Sequence, residues 1–176
     1  MFSLERLVLL AALLASPVAT AADAPKFGQP VTPADLAAWD IGIAPDGIGL
    51  PAGRGTSTEG EAVFVGKCQV CHGEKGVGKP NDVLVGGTGS LAPGQTPVKT
   101  VGSYWPYATT LFDYIRRAMP FNEPKSLTAD ETYALSAYIL ALNGIIGVSD
   151  VLDAQSLQKV KMPNRDGFIP FPRQPR

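Results

Sequence analysis

The sequence predicts an all-α fold in which a helical part lies between two irregular segments. Two apolar runs begin with a capping box, Thr58-x-x-Glu61 and Thr128-x-x-Glu131, and a third repeats apolar residues at helical spacing from Leu111 to Ala118. The 19 glycines and 16 prolines exceed ordinary usage, which predicts long irregular stretches. No run shows the alternation typical of a strand, so no strand is predicted.

The length and charge of the chain exclude some classes of protein. A chain of 176 residues suits one domain with extensions, or at most two small domains. The net charge is -1. Nucleic-acid binding needs a clustered basic face, and binding to an anionic membrane surface needs a polybasic segment, so both are disfavoured.

The first 21 residues are predicted to be a secretory signal. An apolar run from Leu7 to Leu14 precedes the small-residue cleavage site Ala19-Thr20-Ala21. The alternative is an uncleaved anchor, but the run is shorter than the roughly 20 residues that span a bilayer. We therefore expect a mature protein that starts near Ala22 and has no membrane span.

An arm is predicted over residues 22–56. Thr32 and Pro33 suit the N-cap and first position of a short helix. The stretch 41–50 is rich in turn residues and yet apolar, unlike a disordered linker. We expect it to lie on a surface, either of its own domain or of a partner.

The helical part is predicted over residues 57–144. The first helix, Thr58 to Lys67, leads directly into Cys68, and Gly60 on it would let another helix approach closely. Residues 73–106 are predicted to be loop. The second helix runs from Thr109 to Ala118, and the third from Thr128 to Asn143, with Gly144 as its C′ residue.

The tail, residues 145–176, is again rich in proline. Asp153 to Val160 is expected to form a short helix, and the last eight residues are expected to be extended.

Cys68-Gln69-Val70-Cys71-His72 holds both cysteines and the one histidine of the sequence. Cys-x-x-Cys-His is the attachment signature of a c-type haem, in which two thiols bond to the porphyrin and the histidine ligates the iron. The motif predicts one covalent haem c, with Cys68, Cys71 and His72 as cofactor-binding residues. A dithiol redox pair is the alternative, but the chain lacks the βαβ context of such motifs.

The second axial ligand is predicted to be Met119. No second histidine exists, and after signal removal only Met119 and Met162 remain as thioether donors. Met119 lies between two helices at an exit stiffened by Pro120, whereas Met162 lies in the tail. A vacant sixth position, as in a haem enzyme or gas sensor, is the other alternative. Ligation by His72 and Met119 would raise the haem potential and close the iron to substrates.

Tyr104 and Trp105 are further candidates for cofactor binding. Their O–H and N–H groups could bond a haem propionate while their rings cover the macrocycle. The alternative is that both are ordinary core aromatics.

The pattern resembles class I cytochromes c over residues 57–144: an N-terminal helix that leads into the haem motif, a methionine on a late loop and a C-terminal helix. In that family a glycine and an aromatic residue of the first helix pack against an aromatic residue of the last. Gly60, Phe64 and Tyr138 match these roles. The resemblance implies electron transfer without catalysis by the chain itself.

A narrower resemblance covers nearly the whole mature chain. Four stretches are similar to the cytochrome subunit of Sox-system sulfur dehydrogenase (SoxD type): 39–51, 97–122, 138–144, which ends in Leu-Asn-Gly, and 162–168. Related single-haem subunits serve periplasmic sulfite dehydrogenases. The resemblance implies a periplasmic protein whose partners are a molybdenum-cofactor catalytic subunit and a downstream acceptor cytochrome.

One feature departs from the SoxD pattern. Well-known members carry two haem domains, whereas this chain has one Cys-x-x-Cys-His. The substrate of the pathway is therefore left open between sulfane sulfur and sulfite. A freely diffusing electron carrier without a dedicated catalytic partner is the alternative function.

Overall fold

Three helices surround the core, and shorter elements complete it. The computed structural model describes residues 27–37 and 39–169. In chain order these residues form α1 (Pro33–Ala37), β1 (Arg54–Thr56), α2 (Ser57–Lys67), α3 (Gln69–His72), a 3₁₀ turn (Glu74–Gly76), α4 (Ala108–Ala118), α5 (Ala129–Leu142), β2 (Val151–Asp153) and α6 (Ala154–Leu157). The predicted signal sequence, residues 1–21, and the end of the tail lie outside the described residues.

The chain divides into one unit up to Leu36 and a second unit from Ala37 onwards. Of the first unit, residues 27–36 are described, and they are exposed. The backbone N–H of Asp35 donates to Thr32 Oγ1 at 3.2 Å, and that of Thr32 donates to Asp35 Oδ2 at 2.9 Å. The predicted short helix at Pro33 is confirmed.

Helices α2 and α5 cross at Gly60, and this contact is the centre of the second unit. A β-carbon on Gly60 would overlap the carbonyl group of Ala134 and stand 2.8 Å from Cβ of Tyr138. The ring of Phe64, one turn further along α2, lies 5.3 Å from the ring of Tyr138. Glycine is needed here because only a residue without a side chain lets the two backbones approach so closely. The predicted close approach at Gly60 is confirmed.

The predicted capping box of the first helix was wrong by two residues. The N-cap is Thr56, whose side chain accepts the N–H of Glu59 while the Glu59 carboxylate accepts the N–H of Thr56. Thr56 has extended backbone angles, φ -114° and ψ 163°, because it ends strand β1. An N-cap needs such non-helical angles, so the helix begins at Ser57 and not after Thr58.

The expectation of no strands was also wrong. Strands β1 and β2 form an antiparallel pair in which Gly55 lies opposite Leu152. A β-carbon on Gly55 would stand 2.7 Å from Cβ of Ala134, so the pair lies directly on α5. Three residues per strand are too few for alternation to show in the sequence. Packing on α5 stabilises this pair, since an isolated two-stranded pair is marginal in water.

The other helices follow the predictions closely. Helix α4 begins at Ala108, one residue earlier than predicted, and α5 has Thr128 as N-cap with Glu131 as the reciprocal partner. Gly144 has φ +65°, as expected for a C′ residue. The short helix α6 has Asp153 as N-cap but ends at Leu157, three residues before the predicted end.

The arm lies on its own domain from residue 43 onwards. The backbone N–H of Ile43 donates to Asp113 Oδ1 at 3.0 Å, and Thr109 Oγ1 donates to the carbonyl oxygen of Pro45 at 3.0 Å. The hydroxyl of Tyr133 donates to the carbonyl oxygen of Pro51 at 2.8 Å. Residues 43–51 therefore pack on helices of their own chain, which is one of the two surfaces expected for this stretch.

Candidate functional site

A single helical turn brings the three motif residues together. Cys68 ends α2 and immediately precedes α3, and its carbonyl oxygen accepts the backbone N–H groups of Cys71 at 3.1 Å and His72 at 3.0 Å. The spacing of three and four residues therefore places Cys68, Cys71 and His72 on one wall of a cavity. All three residues are half-buried.

The loop after the motif fixes the imidazole of His72. Nδ1 of His72 lies 2.9 Å from the backbone carbonyl oxygen of Asp82. Because that carbonyl can only accept, Nδ1 carries the proton and Nε2 is the nitrogen with a free lone pair. Such a bond holds the ring in one orientation and makes the other nitrogen a better metal ligand.

Backbone hydrogen bonds hold this loop against the motif. Gly78 N–H donates to the carbonyl of His72 at 2.7 Å, and Asn81 N–H donates to that of Cys71 at 2.8 Å. Gly73 has φ +74°, and a β-carbon there would press on the backbone of Gly78. The turn that returns the chain to His72 therefore requires glycine at position 73.

The cavity beside the motif has a volume of about 610 Å³ and mostly apolar walls. This volume lies in the range that holds cofactor-sized ligands. Its lining comes from α2, α3, the loop, α4 and α5 and includes Phe64, Leu84, Val98, Val101, Leu111, Tyr114, Ile115, Leu135 and Ile139. Among the described residues, each of the three long helices, α2, α4 and α5, thus contributes to this site.

Met119 lines the same cavity. It is the C-cap of α4, with extended angles of φ -118° and ψ 147°, and its backbone N–H donates to Ile115 at 3.0 Å. Its side chain is half-buried and packs against the core. Met162 is 3% exposed in the core cluster and is not among the cavity's lining residues. Of the two thioethers considered, the structure brings Met119 to the site.

The two aromatic candidates have different positions. Trp105 lines the cavity, and its ring meets that of Tyr114 edge to face at 5.7 Å. Tyr104 does not line it: its ring lies 5.1 Å from Phe168 of the tail and 5.0 Å from Nζ of Lys99. The structure therefore brings Trp105, and not Tyr104, to the site.

Burial affects the chemistry of Cys68. Burial raises the pKa of its thiol to about 11, although the nearby Lys67 opposes the shift. A thiol of this kind is protonated at neutral pH and is a poor free nucleophile. This environment does not suit a catalytic dithiol.

Sequence reasoning missed the polar groups that hold the loop. The Asn143 side chain donates to the carbonyl of Leu84 at 3.2 Å and accepts the N–H of Gly86 at 2.9 Å. Thr100 Oγ1 donates to the carbonyl oxygen of Gly86 at 2.6 Å. The role of the Asp82 carbonyl could not be found from sequence, because every residue has a carbonyl. The sequence pattern marks Asn143 only as the end of a helix, because it precedes a predicted C′ glycine.

The residues present fit a covalently attached haem. Two thiols and an oriented imidazole stand on one wall, a thioether lines the same space, and the rest is apolar and of suitable volume. A helical domain that presents Cys-x-x-Cys-His to such a cavity is the arrangement of a c-type cytochrome.

Comparisons with known proteins agree with this class. Residues 55–139 match the family model described as cytochrome c oxidase, cbb3-type, subunit III. A chain of the crystal structure of the sulfane dehydrogenase SoxCD from Paracoccus pantotrophus is similar, with 41% identity and a TM-score of 0.78. The match covers 84% of this chain and 73% of that chain. No match was found among curated proteins.

The chain belongs to the cytochrome c family and contains a cytochrome c electron-transfer domain. The predicted all-α cytochrome c fold and the resemblance to the Sox sulfur dehydrogenase are confirmed. Within the described ranges, no helix has the length and apolar character needed to cross a membrane.

Proposed function

We propose that this chain is the single-haem, electron-transfer subunit of a periplasmic molybdenum enzyme that oxidises a sulfur compound, either sulfane sulfur or sulfite. The similarity to a chain of SoxCD supports this proposal, because it spans 84% of the chain and includes parts outside the haem domain. The molybdenum-cofactor subunit would donate electrons, and a further cytochrome would accept them.

Cys68 and Cys71 would hold one haem c, and His72 and Met119 would supply nitrogen and sulfur ligands to its iron. When bound, the haem supplies a one-electron Fe(III)/Fe(II) couple. His72 binds through Nε2, since its Nδ1 is engaged by the carbonyl of Asp82. A thioether ligand from Met119 would favour a relatively high potential and would exclude substrates from the iron. Trp105 and the apolar walls keep water away from the site.

The regions outside the haem domain have roles in export and assembly. Residues 1–21 direct the chain to the periplasm and are removed, which fits the haem because bacteria complete c-type attachment outside the cytoplasm. The arm, residues 22–56, and the tail, residues 145–176, flank the haem domain at 57–144 and serve in the choice of partner.

Ligation is tested with Met119→Ala, and Met162→Ala serves as the matched control. Each protein is matured with haem and reduced, and carbon monoxide binding is measured. The wild type and Met162→Ala should bind it slowly or not at all, whereas Met119→Ala should bind it rapidly. Rapid binding by the wild type would show a vacant iron position and contradict the proposal. Haem that stays on the denatured chain confirms covalent attachment.

The partnership is tested by co-expression with a candidate molybdenum subunit and size-exclusion chromatography. A stable complex in which sulfur-compound oxidation reduces the haem is expected. A mature protein that stays monomeric, binds no such subunit and still exchanges electrons would be a freely diffusing carrier.

A further inference from the structure

Asp113, in the middle of α4, joins two distant parts of the chain. Its Oδ1 accepts the backbone N–H of Ile43, 70 residues away, at 3.0 Å. Its Oδ2 accepts a hydrogen bond from the guanidinium of Arg117 at 2.7 Å. The side chain of Asp113 is only 20% exposed. An exposed ion pair contributes little, but a sheltered carboxylate that also bonds a distant backbone group makes a stronger, charge-assisted contact.

The arm is held along one face of α4. Thr109, Asp113 and Arg117 are four residues apart and therefore share this face. Thr109 Oγ1 donates to the carbonyl of Pro45 at 3.0 Å, and Ile43 is partly buried against the core. The guanidinium of Arg117 reaches the arm as well, since a β-carbon on Gly42 would stand 3.7 Å from it. Asp113 is therefore the central one of three residues of α4 that contact the arm.

The last turn of α4 fixes the backbone of Met119. Met119 N–H donates to Ile115 at 3.0 Å, and this bond ends the helix. Pro120 has no N–H with which to continue it. Arg117 lies in this last turn, and its partner Asp113 lies one turn earlier. The position of Met119 therefore depends on a turn that Asp113 braces from the arm side.

We propose that Asp113 is a positioning residue for the iron ligand: by binding both the arm at Ile43 and the side chain of Arg117, it holds the last turn of α4 so that Met119 remains on the haem. This inference rests on the proposed function, in which Met119 is an axial ligand. It also makes the arm a part of the haem site, because a change in the arm would be felt at the iron.

Four variants test this role in the haem-loaded, full-length protein. Asp113→Ala removes both contacts, and Asp113→Asn keeps an acceptor for Ile43 but loses the charge toward Arg117. Arg117→Ala removes only the ion pair. Asp130→Ala is the matched control, because Asp130 Oδ1 accepts the arm's Arg54 N–H at 2.8 Å but lies on α5. The readouts are the charge-transfer absorbance of thioether-ligated ferric haem, the rate of imidazole binding to ferric haem and the midpoint potential.

In Asp113→Ala, which loses both contacts, imidazole should bind at least about tenfold faster than in the wild type, because one hydrogen bond to a charged group alone contributes about that factor. The thioether absorbance should weaken and the potential should fall. Asp113→Asn and Arg117→Ala should lie between this variant and the wild type, and Asp130→Ala should match the wild type in all three readouts. Wild-type values in Asp113→Ala, with only a loss of thermal stability like that of Asp130→Ala, would overturn the positioning role alone. Absence of the thioether absorbance in the wild type would overturn Met119 ligation and this inference together.

Discussion

Gly60 of α2 lies against Ala134 of α5, so closely that a β-carbon on Gly60 would overlap the carbonyl oxygen of Ala134. This contact lies beside the pair of rings from Phe64 and Tyr138, and Phe64 also lines the haem cavity. The crossing of the two helices therefore sets the position of the helix that ends at Cys68. The backbone contact links packing directly to the haem site.

Gly60→Ala should destabilise the protein by roughly 1–3 kcal/mol, because overpacking a rigid contact forces the backbone to move. Gly66→Ala is the matched control on the same helix, since nothing lies within 4 Å of its β-carbon position. The control should gain stability, by up to about 1 kcal/mol, because alanine favours a helix over glycine. Urea unfolding of the haem-loaded proteins measures both changes. Equal effects of the two substitutions would contradict the packing argument.

The side chain of Asn143 should contribute more to stability than a single hydrogen bond would. Its side chain bonds Leu84 and Gly86 of the loop and also the carbonyl of Ile139, at 2.8 Å. Asn143→Ala should cost about 2–3 kcal/mol, because partly buried backbone groups lose their partners. Since this loop supplies the carbonyl that orients His72, we also expect a shifted midpoint potential.

The control for Asn143 is Asn164→Ala. Asn164 Nδ2 makes one bond, to the carbonyl of Tyr104 at 2.7 Å, in the tail. Its loss should cost about 1 kcal/mol and leave the potential unchanged. A potential that shifts equally in both variants would show that Asn143 has no special link to the haem loop.

Local signals in the sequence were sufficient where the chemistry is local. Cys68, Cys71 and His72 lie within about one helical turn, and the Thr128 cap and its partner Glu131 are three residues apart. Both features could therefore be predicted from residues that are neighbours in the sequence. The first capping box shows the limit. Thr56-x-x-Glu59 and Thr58-x-x-Glu61 are equivalent patterns, and only the pairing of β1 with β2, about a hundred residues later, selects the first.

The placement of Tyr104 and Trp105 could not be read from the sequence. They are adjacent in a loop without helical or strand period, so nothing local decides which ring faces inward. The tail decides it, because the ring of Phe168 packs against the ring of Tyr104 at 5.1 Å. Likewise, the position of Asp113 opposite Ile43 depends on how the arm folds back over 70 residues.

Acid stability should depend on Glu131. Hydrogen bonds from Lys67 first, and then from Thr128, lower the pKa of Glu131 below its ordinary value of 4.5. A lowered pKa contributes stability above pH 4.5, and this contribution is lost as the pH falls through the folded-state value. Glu131→Gln keeps a residue suited to the capping box but removes the charge. Because the pair with Lys67 is partly exposed, the loss at neutral pH should be below about 1 kcal/mol.

The measurement for Glu131 is the difference in free energy of unfolding between wild type and variant at pH 7 and pH 3. The difference should be present at pH 7 and should decrease as the pH falls below 4.5. Glu61→Gln, which removes the same charge from an exposed residue of α2, is the control for the change in net charge. A difference for Glu131→Gln that is the same at pH 7 and at pH 3 would assign its effect to packing instead of charge.

Tyr133 should make the free energy of unfolding decrease as the pH rises into the alkaline range. The residue is fully buried, and burial, followed by the charge of Asp153, raises the pKa of its phenol from 10.0 to about 12. A raised pKa contributes stability that is fully present below pH 10 and is lost as the pH rises toward 12. Tyr133→Phe should therefore remove part of the alkaline loss of stability. At pH 7 the variant should be less stable by about 1 kcal/mol, because the carbonyl of Pro51 loses its donor.

The two effects of Tyr133→Phe separate in one experiment, since the hydrogen bond acts at all pH values where the phenol is protonated and the ionisation acts only above pH 10. The free energies of unfolding of variant and wild type are measured at pH 7 and at pH 11. The difference between the two proteins should be smaller at pH 11. Tyr107→Phe, which removes a hydroxyl from a half-buried residue whose ring lies 4.2 Å from the guanidinium of Arg165, is the control for the loss of a phenol. If the free energy of unfolding of Tyr133→Phe falls with rising pH as steeply as that of the wild type, another buried group governs alkaline unfolding.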